Sequence, residues 1–270
     1  EGTKLTEDAT YEVLLTDEAG NTSTYWLAID TTRPQIHGVN NNGLYNTEKQ
    51  ANVKDKFLAL VKVSATYADG TTSEEEFTRA DFIVGENNEN YIFRYKATKD
   101  GIYTIYAEDK IGNNYSETFT IDRVAPKAKV VGVYSVATAN HKYLKNGEKI
   151  RVVVEFDEEV KLSDTFVANF NGKKKAFIRS DNTSKYEYIA QTTLPMTETK
   201  MVEGKVSVTI TGATDLAGNT AEPITELNHS KYNELTYDRT PATITVKTYG
   251  KNKVLEAPYH STVDVKAIIE

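Results

Sequence analysis

Three times along this chain an Asp is followed, three residues on, by Gly-Asn, and after a strand-like run comes a second Asp just ahead of a Pro. The copies are Asp17-Glu18-Ala19-Gly20-Asn21 with Asp30 and Pro34, Asp109-Lys110-Ile111-Gly112-Asn113 with Asp122 and Pro126, and Asp215-Leu216-Ala217-Gly218-Asn219 with Asp238 and Pro241. Such a recurrence constrains the chain to a series of like units that meet at like places. The three prolines lie 92 and 115 residues apart, and each interval is the size of one β-sandwich domain. The second interval is longer partly because Asp215 and Asp238 are 23 residues apart, against 13 in the other copies, which places an insertion around Glu222 to Lys231. Residues 35–126 and 127–241 are therefore expected to be complete domains. Residues 1–34 are expected to hold the last two strands of a preceding unit, and residues 242–270 the first strands of a following one.

Between these markers, runs rich in Val, Ile, Thr, Tyr and Phe alternate with polar residues at period two, separated by Asp-Gly, Asn-Gly and Gly-Asn turns. The alternation predicts an all-β chain in which Tyr25, Leu27 and Ile29, then Phe119 and Ile121, then Leu235 and Tyr237 face a core. Ala68-Asp69-Gly70 and Asn171-Gly172 read as hairpin turns. The stretch from Phe77 to Phe82 has room for a single short helical turn.

Composition narrows the function. The formal net charge is -7 and is spread along the chain, which argues against nucleic acid or an anionic membrane as the main partner. No run approaches the roughly 20 apolar residues of a membrane helix, so direct membrane insertion is not expected. The start, Glu1-Gly2-Thr3-Lys4, lacks the regions of a signal peptide, and the chain is expected to be a mature or excised fragment. There is no cysteine, which removes disulfides, thiolate metal sites and cysteine nucleophiles together. The four histidines, His37, His141, His229 and His260, are isolated, with no His-Glu-x-x-His, Gly-x-Ser-x-Gly or phosphate loop around them, and an enzyme is not expected.

The segments Asp8-Ala9-Thr10-Tyr11 and Asp100-Gly101-Ile102-Tyr103 lead into the first two motif copies like tyrosine corners. Val13 and Ile105 stand where a disulfide-bearing immunoglobulin domain has Cys, so apolar packing must close the core. The third copy has Val206 near this point. Together with Lys145-Asn146-Gly147 and the run to Val160, these features resemble the tandem bacterial immunoglobulin-like repeats of large surface and secreted proteins. That resemblance spans essentially the whole chain. It implies immunoglobulin-like β-sandwiches arranged as an elongated rod, outside the cell, with neighbouring domains of the same chain as first partners. It further implies a stalk that holds a functional head away from a bacterial surface, with an adhesin or glycan-binding module contacting a host or polysaccharide ligand, or an accessory region of a surface enzyme, as alternatives.

The motif has two readings. As a turn, Asp accepts backbone N–H groups, Gly takes a positive φ, and Asn tolerates the left-handed region. As a junction, the loop between the last two strands lies at the end where the first strand begins, so it faces the Asp that closes the preceding repeat. Asp30 should then approach Asp55, Asp109 and Asn113, while Asp122 should approach Asp157, Glu158, Glu159, Asp215 and Asn219. Carboxylates and amides gathered in this way suit calcium, which takes 6 to 8 oxygen ligands; the second group has more carboxylates and is the favoured one. Trp26, the single tryptophan, lies opposite the core face, as a ligand-binding residue or as one covered by the rest of its own domain.

Overall fold

The computed structural model describes residues 4–86, 90–137, 142–181, 185–193, 202–241, 244–250, 253–255 and 264–269, with side chains described as far as Pro241. The chain is all-β: 24 strands and one 3-10 turn at Arg79–Asp81 are described. It divides into two compact units, the first comprising residues 1–126 with Glu159–Lys161 and Thr214–Ala221, the second the remainder. Among the described residues no helix is long and apolar enough to cross a membrane.

The first unit begins with a hairpin, β1 (Ala9–Thr16) and β2 (Thr22–Ile29), paired without a break from Ala9↔Ile29 to Thr16↔Thr22. It continues with β3 (Gln35–His37), β4 (Gly43–Tyr45), β5 (Lys49–Asp55), β6 (Leu58–Tyr67), β7 (Thr72–Thr78), β8 (Ile83–Val84), β9 (Tyr91–Ala97), β10 (Gly101–Asp109) and β11 (Asn114–Ile121). These form a five-stranded sheet, β4-β11-β10-β6-β7, and a four-stranded sheet, β3-β5-β9-β8. The two face each other as a β-sandwich. Val61, Val63, Tyr103, Ile105 and Phe119 from one sheet share a buried core with Ala51, Val53 and Phe93 from the other, and the rings of Phe77 and Phe93 meet across the gap at 4.5 Å.

The second unit contains β12 (Ala128–Ser135), β13 (Tyr143–Leu144), β14 (Lys149–Phe156), β15 (Val167–Phe170), β16 (Lys173–Ala176), β17 (Ile178–Arg179), β18 (Tyr186–Thr193), β19 (Gly204–Lys205), β20 (Val208–Thr211) and β21 (Thr236–Tyr237), then β22 (Ile244–Gly250), β23 (Lys253–Leu255) and β24 (Asp264–Ile269). Its sheets run β12-β14-β18-β17, β16-β15-β20, β13-β21-β19 and β23-β22-β24. Phe156 of β14 and Tyr188 of β18 pack edge-on against Phe166 at the head of β15, and all three rings are fully buried. Asn171 and Gly172 both take positive φ, 46° and 98°, in the two-residue turn joining β15 to β16, as the Asn-Gly pair predicts.

Both units share a device before the closing Asp. A short strand pairs in parallel with the last one, β4 with β11 in the first and β13 with β21 in the second. The backbone N–H of Asp122 then donates to the Tyr45 carbonyl, as that of Asp238 does to Leu144. The core positions behave as alternation predicts where a second layer exists: Phe119, Ile121, Leu235 and Tyr237 are buried. At the hairpin the expectation fails, because Tyr25 and Leu27 are 60% and 46% exposed. Pairing β2 with β1 satisfies its backbone, but among the described residues no sheet lies over its face, so period two alone does not bury it.

Candidate functional site

In all three copies the motif closes the same loop. The Asp backbone N–H donates to the Asn carbonyl, at 2.9 Å for Asp17 and Asn21, 3.0 Å for Asp109 and Asn113, and 3.0 Å for Asp215 and Asn219. In return the Asn backbone N–H donates to Asp Oδ1 and the Asn side-chain amide to Asp Oδ2, the latter at 2.8, 2.7 and 2.7 Å. Gly20, Gly112 and Gly218 take φ of 87°, 98° and 109°, which a side chain would strain. The turn reading is therefore a sufficient account of the loop itself.

The second and third copies do one thing more. Asn113 Nδ2 donates to the backbone carbonyl of Asp30 at 3.0 Å, and Asn219 Nδ2 donates to the carbonyl of Asp122 at 2.9 Å. The Asp that precedes each loop's own repeat is thus held at its carbonyl by the loop's Asn. Asp30, Asp122 and Asp238, the three closing residues, each form a local turn of their own. Asp30 Oδ1 accepts from the Thr32 N–H, Asp122 Oδ1 from Val124, and Asp238 Oδ1 from Thr240. This fixes the chain as it enters the short segment from the closing Asp to the proline, where Pro34 and Pro126 are buried.

A further recurrence was not anticipated from sequence. The acid three residues before each corner position bonds the residue that follows the closing Asp: Asp8 accepts from Thr31, Asp100 from Arg123 Nε at 2.6 Å, and Glu203 from Arg239. Tyr11 and Tyr103 donate to the carbonyls of Glu7 and Lys99, four residues upstream, as tyrosine corners do. At Val206 a backbone bond from its N–H to the Leu235 carbonyl stands in that place.

Of the residues expected to gather around Asp30, all are together. Asp30, Asp55 and Asp109 are 8%, 6% and 2% exposed, and one oxygen from each lies within 4.8 Å of the others. Asp109 Oδ1 accepts the backbone N–H groups of Ile111, Gly112 and Asn113, Asp55 Oδ1 accepts that of Phe57, and Asp30 Oδ1 accepts the N–H and hydroxyl of Thr32. Asp30 Oδ2 is shielded from solvent and has no hydrogen-bond partner. Two unit charges at 4.8 Å repel by roughly 3 kcal/mol at an effective dielectric of about 20, so the cluster is costly when fully ionised. Burial, and then the charges of Asp30 and Asp109, push the Asp55 carboxyl up to about 6.

Around Asp122, the first unit brings together Asp122, Asp215 and Asn219, and Asp215 is fully buried with its Oδ1 accepting from Gly218 and Asn219. Asp157 and Glu158 belong to the second unit, where Asp157 Oδ1 accepts the backbone N–H of Lys127 at 2.8 Å. Trp26 is 69% exposed. His229 Nδ1 accepts from the backbone of Lys231 and Tyr232, a structural role; His141 and His260 lie outside the described residues. The insertion runs along β12: Asn228 Oδ1 accepts from Val131 N–H, Asn228 Nδ2 donates to the Lys129 carbonyl, and Val133 N–H donates to the Tyr232 carbonyl. Tyr232 stacks on Tyr134 at 4.4 Å. The segment covers a strand edge that would otherwise present unpaired backbone groups.

No protein-family model matches the chain, and no curated protein does so. A solved structure described as "Structural insight into host cell surface retention of a 1.5-MDa bacterial ice-binding adhesin" is similar to it, with a TM-score of 0.31, 14% identity, and coverage of 84% of this chain and 71% of that one. At that score the likeness adds nothing to the reading of the site.

Proposed function

We propose that this chain is a non-catalytic spacer of a bacterial cell-surface or secreted protein, built from tandem immunoglobulin-like domains and joined into a stalk through short linkers that run from a closing Asp to a Pro. One observation carries the reading: the Asn of a motif loop bonds the carbonyl of the preceding closing Asp in two separate copies, through Asn113 to Asp30 and Asn219 to Asp122. A device repeated at linkers rather than concentrated in a cleft suits spacing and display. Proline restricts the linker backbone, and the side-chain clasp restricts it further. Small-angle scattering from the full chain should give an elongated particle; a compact globule would reject the stalk.

The adhesin or glycan-binding alternative places a ligand at the insertion near Glu222 to Lys231, the region where the motif copies differ most. The bonding of Asn228, His229 and Tyr232 to β12 favours the spacer, because that segment already has a structural task. A glycan array run with the chain and with a variant in which Asn228 and Tyr232 are both changed to Ala separates the two readings. Glycan capture by the chain that is lost in the variant would favour the adhesin; capture by neither favours the spacer.

A further inference from the structure

We propose that Asp30, Asp55 and Asp109 form a binding site for a divalent cation of the calcium class, with Asp30 Oδ2 as one of its ligand atoms. Such a site would stand whether or not the chain is a spacer. One oxygen from each carboxylate lies within 4.8 Å of the others, about twice the 2.3–2.6 Å over which calcium holds its oxygen ligands. All three residues are more than nine-tenths buried. Each is pinned from its own segment through Oδ1, by Thr32, by Phe57 and by the loop from Ile111 to Asn113, and Asp109 Oδ2 also accepts from the Asn113 side-chain amide.

The second, independent observation is Asp30 Oδ2 itself. It is buried among like charges and accepts no hydrogen bond from any described group, and a buried carboxylate oxygen in that state calls for a partner. No Lys or Arg provides one: none of the ion pairs among the described residues involves Asp30, Asp55 or Asp109. The donors are all oxygen, which suits a hard cation and not the softer transition metals. Calcium tolerates irregular sets of 6 to 8 oxygens, whereas magnesium holds several waters in a near-ideal octahedron, for which a site this buried is poorly shaped. A bound ion would tie the linker at Asp30 to the loop after β5 and to the loop after β10.

The full chain, stripped with a chelator and desalted, is titrated with calcium chloride and separately with magnesium chloride by calorimetry. Asp30→Asn and Asp55→Asn are titrated alongside, with Asp17→Asn as the exposed control. The expected result is calcium binding at least tenfold tighter than magnesium, one equivalent of which is lost or weakened at least tenfold in Asp30→Asn and in Asp55→Asn while Asp17→Asn matches the unaltered chain. Unfolding of each variant in chelator confirms that it is folded, and the two Asn variants serve as checks on each other. No calcium binding up to millimolar concentration, equal binding of magnesium, or undiminished binding in both Asn variants would overturn the site.

Discussion

At Asp17–Asn21 the Asn amide folds back onto its own Asp and both residues face solvent, whereas at Asp109–Asn113 the same amide also holds the carbonyl of Asp30 and its Asp is 2% exposed beside two other carboxylates. The five-residue sequence is sufficient for the turn in both places. What it does beyond turning is decided by what lies against it. The same contrast runs through the strands: Leu27 and Phe119 each sit three residues before a closing Asp, yet Leu27 is 46% exposed and Phe119 is fully buried under a second sheet.

That pairing of equivalent positions can be broken directly. Phe119→Ala removes a ring stacked on Tyr103 at 5.3 Å in a closed core and should cost about 3–5 kcal/mol. Leu27→Ala should cost below about 1 kcal/mol, and denaturant unfolding of the two variants reads both.

The next effect is pH. Asp55 holds its proton more tightly folded than unfolded, with a folded value of about 6 against an ordinary 3.8. In chelator the first unit should therefore be most stable below about 4 as far as this group is concerned, and lose about 2–3 kcal/mol as pH rises through about 6. Asp55→Asn should flatten that slope, while Asp17→Asn should leave it in place. Thermal unfolding at closely spaced pH values checks this.

Smaller differences sharpen the comparison. Asn113→Ala removes the bonds to Asp109 and to the Asp30 carbonyl and should cost about 2 kcal/mol, against about 1 kcal/mol or less for Asn21→Ala in the exposed loop. Tyr103→Phe removes a bond from a buried hydroxyl to the Lys99 carbonyl and should cost about 1 kcal/mol, whereas Tyr11→Phe in the open hairpin should be close to neutral. Equal costs in both members of either pair would mean that the surroundings do not set the contribution.

The turns were legible because Gly and Asn carry their own backbone preferences, and Asn171-Gly172 and the three motif loops formed where the residues place them. The meeting of Asn113 with Asp30 was legible too, since it follows from where the last loop of a sandwich must lie. Burial at Tyr25 and Leu27 was not, because alternation says which residues share a face and not whether another sheet covers it. The bonds from Asp8, Asp100 and Glu203 to the residues after the closing Asp were written in the sequence as an acid three residues before Tyr11, Tyr103 and Val206. Their partners lie 23 to 36 residues on, beyond the reach of any local pattern.

The motif's Asn turns its own loop in all three copies and clasps a preceding Asp carbonyl in the second and third. Hydrogen exchange of the Asn side-chain amides, followed by nuclear magnetic resonance on the full chain, distinguishes a clasped amide from one that only turns its loop. The Nδ2 protons of Asn113 and Asn219 should exchange markedly more slowly than those of Asn21. Exchange at Asn113 as fast as at Asn21 would mean that no clasp to Asp30 forms in solution.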